Sequence, residues 1–216
     1  RGEGTRTDLH DDDWSYGWSA TSTTVMFEPG RILQVGKGGW KDDDRGLTAQ
    51  IIDLNGPQVS ITNTATAHRK RQWANSTVLP DGKVVVMGGS EENAITDQVN
   101  WTTGRVGYEV ELYDPVANTW TLGPAQKRMR LYHSIAMLLP NGAVLSGSGG
   151  WPGPQLNLDA EIYYPPYLFN ADGTAARRPT ISSVPTVLNA GDTLTIQSAD
   201  AADVSRITII KTGSVT

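Results

Sequence analysis

Apolar positions along this chain fall in short runs that come in pairs, each pair joined by a turn and closed by glycines. The stretches 23–39 (TTVMFEPGRILQVGKGG), 75–89 (NSTVLPDGKVVVMGG) and 134–150 (SIAMLLPNGAVLSGSGG) share one grammar. Each is an apolar run, a turn holding Pro and Gly, a second apolar run, then a Gly-Gly pair. Pro presets φ at the turn and Gly supplies the positive φ that tight hairpins require. The turns are Glu28-Pro29-Gly30, Pro80-Asp81-Gly82 and Pro140-Asn141-Gly142, with glycines at 30, 82 and 142. A third, more strictly alternating run follows each hairpin: AQIIDL (49–54), YEVELYDP (108–115) and AEIYYP (160–165). In the second copy a fourth run follows, NTWTLGP, which sets Tyr113 and Trp120 across a turn from one another.

Repetition at this spacing predicts an all-β protein. Four antiparallel strands per unit, with Gly-Gly after the second, is the pattern of a kelch-type β-propeller blade. The sequence therefore reads as a partial kelch-type propeller of about three blades over residues 1–170. From 171 the pattern shifts to a polar stretch and then to short alternating segments around a Gly-Asp turn, as at the start of an Ig-like β-sandwich (171–216). A propeller needs about four to eight blades, and a sandwich needs more strands than these. The expectation is a piece of a longer polypeptide, whose remainder is its first partner and without which it folds poorly.

Composition narrows the function. The 216 residues include 23 Gly, 12 Pro and 7 Trp but only 2 Phe, which suits a turn-rich β protein. A net charge of −5 and no basic stripe argue against nucleic acid as a partner. No apolar run reaches membrane-spanning length. With 0 cysteines, the chain can build neither a disulfide framework nor a thiolate metal site.

One pair of residues stands out chemically. In RMRLYHSIAMLLPNG (128–142), Tyr132 and His133 are adjacent just before an apolar run. Imidazole nitrogen and phenol oxygen together suit Cu(II). A free phenol titrates near about 10, so it needs a metal or a cation beside it to act as a base near neutrality. Adjacent residues of a regular strand point to opposite faces, so both can reach one metal only if the backbone is irregular there. On the residues alone, a blade-start Tyr and His satisfying backbone groups is the competing reading.

Arg130-Leu131-Tyr132-His133-Ser134, LLPNG, the Gly-Gly pair and DAEIYYPPYLFNADGTAARRP resemble the C-terminal half of the galactose oxidase and glyoxal oxidase family of secreted copper radical oxidases. The likeness is dense from about 128 to 216 and looser before that. It implies the last blades of a seven-bladed propeller followed by an Ig-like domain. It also implies that Tyr132 and His133 are copper ligands, and that Tyr132 is the base that takes the substrate hydroxyl proton. The implied reaction oxidises a primary alcohol or aldehyde and reduces O2 to hydrogen peroxide, outside the cell. The family's Tyr-Cys radical cofactor and second histidine ligand would have to come from outside this chain. The alternative is a kelch-type carbohydrate- or protein-binding module that has lost the radical site.

Topology then selects further candidates. Residues just before a first strand or just after a Gly-Gly pair share one mouth with Tyr132 and His133. This places Tyr16, Trp18, Trp73, Trp40 and Trp151 there as substrate-pocket candidates for a small-molecule or carbohydrate substrate. Trp101, in the insertion 90–107, falls there too, whereas Trp120 reads as core. The acidic clusters 8–14 and 40–46 lack calcium-loop spacing, and His68 reads as surface. Asn75-Ser76-Thr77 and Asn100-Trp101-Thr102 match the glycosylation sequon.

Overall fold

The computed structural model describes residues 21–36, 47, 49–91, 106–151 and 157–211. Three antiparallel sheets account for its order. The first is β1 (Thr23–Glu28), β2 (Arg31–Val35), β3 (Gln50–Asp53) and β4 (Ser60–Asn63), paired in chain order. The second is β5 (Asn75–Val78), β6 (Val84–Met87), β7 (Glu109–Asp114) and β8 (Thr119–Ala125), again in chain order. The third has β9 (Tyr132–Leu138), β10 (Val144–Trp151) and β11 (Ala160–Tyr163), with β10 in the middle. The first strands lie side by side, β1 against β5 and β5 against β9. The sheets thus fan as blades of a β-propeller, first strands innermost.

The sequence explains the stacking. β6 reads Val-Val-Val-Met and is buried at every position, because both faces of the middle blade are covered. Val84 and Val86 join Leu33, Val35, Ile51, Tyr113 and Trp120 against the first blade. Val85 and Met87 join Leu79, Val110, Leu112, Val144 and Tyr163 against the third. Trp120 is core, as expected, with its ring 4.8 Å from that of Tyr113.

Two arginines tie this scaffold together, and they repeat from blade to blade. Arg71 is buried and donates from Nε to Glu111 Oε2 at 2.6 Å and from Nη1 to Gly88 O at 2.6 Å. The other oxygen of Glu111 accepts from the backbone N–H of His68 at 2.7 Å. One blade later Arg130 donates to Glu161 Oε2 at 3.2 Å and to Ser148 O at 3.1 Å, and Lys127 N–H binds Glu161 Oε1 at 2.7 Å. Burial lowers the Arg71 pKa, and Glu111 opposes that shift.

The arginine carbonyls face the other way, into the preceding blade. Arg71 O and Arg130 O sit where a side chain on Gly36 or Gly88 would have to go, and both glycines hold positive φ (91° and 70°). Gly89 N–H donates to Arg130 O at 2.7 Å. Each arginine therefore closes its own blade with its guanidinium and seats that blade with its backbone.

The C-terminal stretch departs from expectation. Among the described residues after 176 no strand forms; Ser183 and Gln197 make an isolated bridge. Ile181, Val187, Ile207 and Ile209 remain 60–79% exposed. Alternating segments become strands only where a neighbour pairs their backbone and a facing sheet covers their apolar side. This stretch is moored to the propeller at the hairpin tips. Arg206 donates to Asp81 O at 3.0 Å, Arg178 donates to Asn141 O, and Tyr167 OH binds Gly142 O at 2.5 Å. No helix among the described residues is long and apolar enough to cross a membrane.

Removing a partner from the buried pair should be far more damaging than doing so at the surface. In the intact protein, Glu111→Ala should cost about 3–5 kcal/mol, because it strands a buried guanidinium. Glu28→Ala breaks an exposed pair with Arg31 (2.6 Å) and should cost under about 1 kcal/mol. Chemical denaturation of both variants checks this, and equal costs would contradict it.

Candidate metal centre

Tyr132 and His133 open β9 at the end opposite its hairpin. The chain arrives through Met129 and Leu131, which are buried with Val106, so the pair is anchored from beneath by apolar side chains. At His133 the backbone turns left-handed, with φ 67°. Ser134 N–H then closes a tight loop onto Leu131 O at 2.9 Å. Across the ladder, pairing skips from Ser148–Ser134 to Trp151–Tyr132, a bulge that takes up Gly149 and Gly150.

The left-handed residue resolves the strand problem. It breaks the alternation of the pleat, so the two side chains emerge on one side with ring centroids 3.9 Å apart and planes inclined by 31°. Tyr132 is 45% exposed and His133 is exposed as well. Among the described residues neither side chain has a hydrogen-bond partner, and their only ring contact is with each other. A left-handed conformation costs a side-chain-bearing residue roughly 1–2 kcal/mol, and it persists where the surroundings over-determine it.

An imidazole and a phenol presented together to solvent form an N,O donor pair that fits Cu(II). Among the described residues no cluster of three or more His, Cys, Asp or Glu could hold a metal ion.

The other candidates fall as follows. Trp73 holds the place in the second blade that His133 holds in the third, and shares its left-handed backbone (φ 57°). Its N–H binds Thr21 O, the equivalent position of the first blade, at 2.9 Å. Trp151 is paired through its backbone with Tyr132. Both therefore start from the mouth. Tyr16, Trp18, Trp40, Trp101, Asn100 and the acidic clusters lie outside the described residues. His68 is exposed and its Nε2 is 3.2 Å from Trp120 O.

Asn75 is not free for a glycan: its Nδ2 donates to Ser134 Oγ at 2.8 Å between blades. Sequence reasoning passed over this tie, and over the arginine–glutamate pairs. A fixed register on Gly82 and Gly142 does not find the latter, since it sets Arg71 against Leu131; the ladder, with Glu111 opposite Val86 and Glu161 opposite Ser146, is what shows the equivalence.

Comparison with known proteins bears on the pair. No family model matches the chain. A galactose oxidase from Gibberella zeae is 33% identical over 202 residues, which is 89% of this chain and 28% of that protein. A second galactose oxidase, from a strain of the same organism, is 32% identical over the same length. A solved structure described as a novel fungal alcohol oxidase with catalytic diversity among the AA5 family, in complex with copper, superposes with a TM-score of 0.73 at 32% identity. That match covers 83% of this chain and 38% of the other. The chain thus spans under half the length of the relatives it matches.

Proposed function

We propose that this chain, a homologue of the galactose oxidases over 89% of its length, supplies one wall of a copper-dependent alcohol or aldehyde oxidase centre in the intact protein. The observation that carries the reading is the left-handed His133, which brings imidazole and phenol out together. The copper held by the AA5 relative supports the choice of metal.

In this reading His133 is a neutral imidazole ligand and Tyr132 a phenolate ligand. Cu(II), when bound, supplies one-electron redox capacity and acidifies the phenol. Tyr132 would accept the hydroxyl proton of the substrate at its phenolate oxygen, as a general base. A primary alcohol gives up two electrons and two protons to become the aldehyde, and O2 takes them up as hydrogen peroxide. A Tyr-Cys radical partner belongs to sequence outside this chain. Trp73 and Trp151 start from the same mouth and serve as pocket walls, with Trp40, Trp18 and Tyr16 as further candidates. Residues 1–170 are assigned to the propeller and 171–216 to the start of an Ig-like domain. Secretion follows from the same kinship.

Two substitutions test the roles separately. His133→Ala in the copper-loaded intact protein should lose most Cu(II) affinity, because it removes an imidazole ligand. An unchanged Cu(II) EPR spectrum would remove His133 from the centre, and a parent protein that binds no copper would favour the non-catalytic binding module.

Tyr132→Phe keeps the ring but deletes the oxygen. Copper should remain while turnover falls by roughly two to four orders of magnitude, the usual worth of general base catalysis. Turnover within a factor of about two of the parent would defeat that role.

A further inference from the structure

The left-handed backbone at His133 must be held by something, and part of what holds it comes from the neighbouring blade. Within its own blade the loop 131–134 is closed by Ser134 N–H on Leu131 O. It also rests on Gly149, where an added Cβ would lie 2.7 Å from Ser134 Cβ and 3.0 Å from Leu131 N. Those contacts fix the floor of the loop. From the second blade, Asn75 Nδ2 reaches across to Ser134 Oγ at 2.8 Å, one residue beyond His133.

The preceding blade junction lacks this tie. There the counterpart of Ser134 is Ala74, which has no hydroxyl to hold. The counterpart of Asn75 is Thr23, whose hydroxyl pairs at 2.9 Å with Ser76, further along the strand. Trp73, the counterpart of His133, is secured through its backbone N–H instead. A side-chain tie at this point thus accompanies the blade that carries the Tyr–His pair. None of the proposed chemistry uses Asn75.

We infer that Asn75 is a positioning residue for the pair: by holding Ser134 it keeps the loop 131–134 closed and the Tyr132 and His133 rings on one side of β9. Without the tie, His133 can relax out of the left-handed region and the rings separate. The geometric part of the inference concerns metal-free protein. The part concerning copper rests on the oxidase reading.

The test uses the intact protein without metal. The imidazole proton resonance of His133, assigned by its loss in His133→Ala, carries the ring-current shift of the Tyr132 ring 3.9 Å away. Asn75→Ala and Ser134→Ala should each move that resonance toward the position of a free histidine, and the double variant should move it no further. Asn75→Asp should restore it, because the Ser134 hydroxyl can donate to the carboxylate. Should Asn75→Ala fail to fold, Ser134→Ala, which deletes one oxygen, decides the question. An unmoved His133 resonance in a folded single variant overturns the inference. A Cu(II) titration follows: loss of the tie should weaken binding about 10- to 100-fold, as for other groups that orient a metal ligand. A parent protein without His133-dependent copper binding sinks the oxidase reading, while the metal-free resonance still decides the role of Asn75.

Discussion

A buried arginine at the start of the second and of the third blade is the constraint on which the rest of this structure hangs. Arg71 and Arg130 bond the third strand through a glutamate and the second strand through a backbone carbonyl. The same residues lay their own carbonyls against glycines of the blade before. Charges taken out of water are costly unless paired, so the Arg71 guanidinium, bonded through Nε and Nη1, tolerates little movement in strand ends, while Arg130 is held through its two Nη groups with Nε unbonded. Tyr132 stands two residues beyond Arg130. The position of the pair at the mouth is thus inherited from an ion pair whose own role is architectural.

The hairpins, the Gly-Gly pairs and the blade-like repeat were legible because turn chemistry is local: Pro and Gly dictate backbone angles without help from the fold. The continuous apolar run Val84–Met87 was legible for a related reason, since both faces of that strand are covered. The third-strand glutamates were not, because charged side chains are usually outside and only a partner distant in sequence makes burial tolerable. His133 was singled out by type and an irregular backbone was expected there, but its left-handed form was not foreseen, since that conformation is uncommon for any residue with a side chain. Asn75 was noted only as part of a glycosylation sequon. A three-residue motif says nothing about whether its amide is already engaged between two sheets.

The three copies also differ where they should be most alike. Gly36 and Gly88 leave room for the next blade's arginine carbonyl, while the third copy carries Ser148 there, exposed and at φ 60°. At Gly36 and Gly88 the demand for glycine comes from the neighbouring blade's backbone as well as from the positive φ.

The mooring of the C-terminal stretch has a consequence for the two ends of the propeller. Arg206 and Arg178 grip carbonyls at the tips of the hairpins, and those tips lie at the far end of the first strands from Tyr132 and His133. The propeller is thereby given a keel and a deck. The described residues of the moored segment therefore attach at the hairpin-tip end, away from the end that presents the two rings.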